Sequence, residues 1–175
     1  LVRLSAPGEP EAFDQVDGLI IIPLDGNPVT NAQELRGVLY LFKKTRTYAC
    51  VDNEDEPSTW IPEPVDQGIG APVHGISQVL DSGGVNVEFL IIADFSGVML
   101  FNGAYSRPEL SWKIATFWLE IDHNEFRKIQ MVNDTINQVL YMTLPDNTIL
   151  FGDYSNGLNP KAIKWGIWTY DIDVT

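Results

Sequence analysis

The chain is short of the residues that build most catalytic and metal centres. Its 175 residues contain one cysteine, Cys50, and two histidines, His74 and His123. A lone cysteine closes neither an internal disulfide nor a cysteine-rich zinc site. Its setting, Thr47-Tyr48-Ala49-Cys50-Val51, reads as a thiol packed in a strand like a small hydrophobe. The histidines lack His-x-x-x-His spacing, and a metal needs at least three converging ligands. Basic residues are scarce too: 11 Lys and Arg against 24 Asp and Glu leave a formal charge of −13. Such a surface repels a phosphate backbone and an anionic membrane, so direct nucleic-acid binding is not expected. No apolar run approaches the roughly 20 residues of a membrane span; Leu19 to Pro23 is only strand length. The opening Leu1-Val2-Arg3 carries no basic n-region or h-region. That start, with an end inside a strand-like run, is expected of a piece of a longer polypeptide.

Motifs of catalysis and ligand capture are equally thin. Gly75-Ile76-Ser77-Gln78 breaks the Gly-x-Ser-x-Gly elbow at its last position. The acidic run Asp52-Asn53-Glu54-Asp55-Glu56 lacks the glycine and spacing of a calcium loop and reads as solvated. Gly83-Gly84 has no following lysine or helix to cradle phosphate. Asn133-Asp134-Thr135 fits the glycosylation sequon but reads as a hairpin turn. Lys43-Lys44-Thr45-Arg46, the one basic cluster, reads as a solvated strand end. Pairs of carboxylates are easily found among so many acids; Asp122 and Asp173, each following an aromatic segment, read as turn caps. No catalytic, cofactor-binding or metal-binding residue is assigned, and the chain is expected not to be an enzyme.

What the sequence does contain is strands. Leu39-Tyr40-Leu41-Phe42, Phe89-Leu90-Ile91-Ile92 and Val139-Leu140-Tyr141-Met142 begin 50 residues apart, and Trp118 and Trp168 share that spacing. Gly, Asn, Asp and Pro punctuate the runs between, as hairpins require. No amphipathic helix stands out; 111–121 reads as an aromatic-rich closing strand. Strand repeats of roughly 40–50 residues point to propeller blades, because one four-stranded sheet cannot bury both of its faces alone. The predicted fold is all-β: about three four-stranded antiparallel blades over 8–66, 67–122 and 123–173, completed by further blades of the same polypeptide or by oligomerisation.

Four stretches carry a family likeness: Gly8-Glu9-Pro10-Glu11-Ala12-Phe13-Asp14, 37–48, Gly68-Ile69-Gly70-Ala71-Pro72, and 94–103. Together they resemble blades of the β-propeller virion proteins of tailed bacteriophages, over roughly 7–122. The resemblance implies a structural, non-enzymatic role in a tail or tail-adjacent assembly, with other structural subunits as partners and the virion as location. It implies no catalytic residue and no cofactor. Loops 52–58 and 102–108 would then meet neighbouring subunits. Two competing readings treat the propeller as a carbohydrate-binding module, with Trp60, Trp112 and Trp165 stacking on sugars, or as an enzyme acting on glycans.

Overall fold

The computed structural model describes residues 2–3, 19–20, 27–54, 59–81 and 87–169. The expected entry at 8–14, the rest of the run at 21–24, loop residues 55–58, turn residues 82–84 and the stretch 170–173 with Asp173 lie outside the described residues. The chain is mostly β, and every strand pair is antiparallel. A short pair, β1 (Val2–Arg3) with β2 (Leu19–Ile20), precedes three up-and-down sheets. The first runs β3 (Val29–Leu35), β4 (Val38–Lys43), β5 (Thr47–Val51), β6 (Glu63–Asp66). The middle sheet has three strands: β7 (Ser77–Asp81), β8 (Val87–Asp94), β9 (Gly97–Phe101). The last runs β10 (Gln130–Asp134), β11 (Val139–Thr143), β12 (Ile149–Asp153), β13 (Lys164–Trp168).

The 50-residue spacing marks a structural equivalence. Leu39, Phe89 and Val139 all lie on the second strand of their sheets, β4, β8 and β11. The tryptophan pair does not. Trp118 sits on α1 (Ala115–Leu119), which follows a 3-10 helix at Trp112–Ile114, whereas Trp168 ends β13. The expected closing strand at 111–121 is therefore helical, and among the described residues the middle sheet has three strands, continued past β9 by a bridge from Phe101 to Tyr105. The reason is in the spacing of Ile114, Phe117, Trp118 and Ile121, which is the one-sided stripe of a helix. All four join the same apolar cluster, while Leu119 between them is exposed.

Turn chemistry sets the hairpins. Arg36 and Gly37 both take positive φ, 54° and 79°, the two-residue loop whose twist matches its flanking strands. Every aspartate whose side chain is described accepts a hydrogen bond from the backbone N–H two residues on: Asp52, Asp66, Asp94, Asp122, Asp134, Asp146 and Asp153. These are Asx turns, in which a short carboxylate replaces a backbone acceptor. The capping role read for Asp122 is thus general. Much of the acidic composition serves local backbone geometry.

The sheets pack face to face. Strand alternation sends Leu90, Ile92 and Phe101 of the middle sheet against Leu35, Tyr40 and Phe42 of the first. Phe101 meets Tyr40 edge-on at 4.8 Å and 84°, and Phe42 at 6.0 Å and 79°; such pairs add about 0.5–1.5 kcal/mol beyond area burial. The opposite face, with Ile91, Ala93, Val98 and Leu100, packs with Trp118, Phe126, Met131, Leu140, Met142 and Leu150. The middle sheet is thus covered on both sides, and every residue of β9 is buried.

Two close approaches lock this stack. A Cβ at Gly70 would come within 2.1 Å of the Lys43 carbonyl oxygen, so only glycine lets segment 68–71 lie on the β4–β5 turn. There Ala71 donates its N–H to Lys43 O at 2.8 Å. The same turn corrects the reading of the basic cluster: Lys43 is buried, its Nζ 5.5 Å from the Tyr48 ring centroid, and Lys44 alone is fully exposed. Asp94, also buried, accepts from Ser96 N and Oγ and from Gly70 N, while its backbone carbonyl accepts the Trp118 indole N–H at 2.9 Å. One residue therefore ties together the β8–β9 hairpin, the inter-sheet connector and α1.

Candidate interaction surfaces

The buried polar groups are committed to structure. Thr47 Oγ1 donates to or accepts from the Tyr105 hydroxyl at 2.5 Å and also reaches Ile69 O at 3.0 Å. Burial pushes the Tyr105 phenol far above its ordinary range, and nearby Asp94 and Asp66 push it further against the opposing Thr47 bond. Cys50 is fully buried and its thiol is pushed up by desolvation, which keeps it protonated and unreactive. His74 lies on an isolated bridge to Gln130, and His123 packs on the Phe95 ring at 4.6 Å. Among the described residues, no three His, Cys, Asp or Glu side chains converge as metal ligands. Asn133, expected in a turn at 133–135, lies instead on β10, where it accepts the Tyr154 hydroxyl at 2.9 Å; the hairpin turn follows at 135–138.

What remains open is surface. The last sheet buries one face in the stack, and its strands show the alternation of half-buried strands: β12 alternates between partly buried and buried along 149–153. The centre of its outer face is nonetheless apolar, flanked by Gln130 and Thr143 on one side and by Asp134, Asp153 and Lys164 on the other. The pairing register aligns Val132, Tyr141, Phe151 and Gly166 in one row, with Ile149 and Trp168 in the row beside it. Trp168 stacks on Phe151 at 4.9 Å and on Tyr141 at 5.7 Å, and Phe151 lies directly over Gly166. Trp168 is 45 % exposed and Val132 63 %. Soluble sheets with one wet face normally make it polar, so this central patch has the composition of a buried surface. Strand parity across 130–168 is the signal that finds this patch.

The three tryptophans suspected of stacking on sugars do not occupy equivalent places. Trp60 packs against the cluster of Leu41, Tyr48 and Cys50 on the far face of the first sheet. Trp165 is partly buried, donates to Leu110 O at 3.2 Å and fills the space above Gly152. Trp112 differs. It is 47 % exposed and, with Pro108, Asn159, Pro160 and Lys161, lines an open depression of about 360 Å³. A second depression, about 300 Å³, lies where α1 and the turn after it meet the β11–β12 turn, with Phe117, Ile121, Leu144 and Pro145 below Glu120, Asp122, Glu125 and Asp146.

No helix among the described residues is long and apolar enough to cross a membrane. No protein-family model and no curated protein sequence matches the chain.

Proposed function

We propose that the chain is a non-enzymatic structural module in which propeller-type blades stack face to face and the last blade offers its outer face to a neighbouring subunit. The observation that carries this reading is the aromatic outer face of β10–β13. A face built of Val132, Tyr141, Phe151 and Trp168 costs solubility unless another apolar surface covers it. The middle sheet supplies the pattern, since both of its faces are covered by neighbouring sheets. In the bacteriophage tail setting that the sequence resemblance implies, such coverage would come from an adjoining subunit or a further blade.

Sedimentation equilibrium tests the reading. The chain is expected to associate with increasing concentration, and Trp168→Glu, which places a charge on the face, is expected to return it to monomer. A chain that stays monomeric at every concentration, with the variant indistinguishable from it, would contradict the proposal. Mass spectrometry of purified virions tests the setting separately: absence from the particle removes the virion role and leaves the interface to be judged by sedimentation.

A further inference from the structure

The Trp112 depression is built for a ligand of definite chemistry. The indole is held in place: its Nε1–H donates to Pro160 O at 2.8 Å, while the ring remains 47 % exposed. Pro108 and Pro160 line the depression beside it, so its floor is rigid and apolar. Such a platform suits a flat, weakly polar face, because an immobilised ring loses little entropy on binding.

Polar groups around the platform are donors with hydrogens to spare. Asn159 turns its Oδ1 inward to accept the N–H groups of Lys161 and Ala162, at 3.1 and 3.0 Å, and its amide hydrogens meet no acceptor among the described residues. Lys113 Nζ donates to Lys161 O at 2.5 Å and Ile163 O at 3.3 Å, so one of its three hydrogens stays unused. Lys161 is exposed and forms no ion pair among the described residues. The neighbouring carbonyls of Pro160, Lys161 and Ile163 are already occupied as acceptors. Glu109, the carboxylate close in sequence, is paired with Arg107. This local surplus of cationic donors selects for a ligand rich in acceptors and negatively charged, against the general repulsion of a chain of net charge −13.

We infer that this depression binds an acidic saccharide: the apolar face of one sugar ring stacks on Trp112, and its carboxylate meets Lys161 and the Asn159 amide. A proline-rich peptide fits less well. Grooves that hold such peptides are lined by several aromatic rings; here Trp112 is the one aromatic in the lining, and its N–H is already spent on Pro160. The inference stands apart from the proposed association, which uses the outer face of β10–β13.

Titration calorimetry on the whole chain tests it, with a short oligogalacturonate as acidic probe, a cello-oligosaccharide of equal length as neutral probe and a proline-rich peptide as third ligand. The oligogalacturonate is expected to bind at least about tenfold more tightly than the neutral sugar. Trp112→Ala is expected to abolish that binding, and Lys161→Glu to weaken it by about tenfold. If Trp112→Ala does not fold, Lys161→Glu carries the test, with chemical-shift mapping to Trp112 on the parent chain. Trp168→Glu is expected to leave the sugar affinity unchanged. The inference is overturned if the oligogalacturonate does not bind, if both sugars bind equally, if Lys161→Glu leaves the affinity unchanged, or if the peptide alone binds.

Discussion

The middle and last sheets are built from similar residues and live in different surroundings. β9, Gly97–Phe101, is buried along its whole length because the first sheet covers one side and α1 and the last sheet the other. β12, Ile149–Asp153, carries the comparable run Ile-Leu-Phe, yet only alternate residues are buried. Strands covered on both faces read as continuous apolar runs, and strands with one wet face alternate with polar residues. The last sheet has the exposure of the second kind but, at the centre of its outer face, the composition of the first. That mismatch is the physical basis for assigning it a partner.

Substitutions inside the stack should separate the two environments most sharply. Trp118→Ala empties a fully buried site that touches Phe126 and removes the indole N–H from Asp94 O, so chemical denaturation should show a loss of about 3–5 kcal/mol. Gly70→Ala drives a Cβ against the backbone of the β4–β5 turn. Because backbone cannot move aside as a side chain does, we expect a loss at the upper end of roughly 1–3 kcal/mol. On the outer face of the last sheet the balance reverses. Trp168→Glu forfeits its ring contacts with Phe151 and Tyr141, about 1 kcal/mol by denaturation, while removing association altogether. A variant that unfolds like Trp118→Ala would mean that Trp168 belongs to the core.

The smallest effect concerns pH. Hydrogen bonds from Asn137, Thr148 and Ser155 hold the carboxyls of Asp134, Asp146 and Asp153 below the usual carboxylate range. Groups depressed in the folded state bind fewer protons there than in the unfolded chain. Their stabilisation is therefore present above the ordinary carboxylate range and lost as pH falls through the depressed values. Thermal melts in acid should show a modest decline, since Asp146 is exposed and Asp134 and Asp153 are only partly buried, where solvent screens the effect. Replacing the three by asparagine should flatten that decline; an unchanged slope would remove these turns from the account.

The strand order was readable because the 50-residue spacing of Leu39, Phe89 and Val139 reflects a repeated position within each sheet. The agreement of Trp118 with Trp168 is coincidental, and it obscured the helical stripe of Ile114, Phe117, Trp118 and Ile121. Short helices of this kind form when tertiary burial rewards them, so their local signal is weak. Buried Lys43 was illegible for a different reason: its surroundings depend on Gly70, distant in sequence, lying against the same turn. Of the candidate surfaces, Trp112 was visible as a residue type, but its exposure depended on a 3-10 helix read as strand.

Hydroxyl-radical footprinting across a concentration series tests the central claim most directly, because it reports which face is covered. Tyr141, Phe151 and Trp168 should become protected as concentration rises, while exposed Trp112 keeps its reactivity. Outer-face residues that stay equally reactive throughout, whether or not the chain associates, would contradict the account.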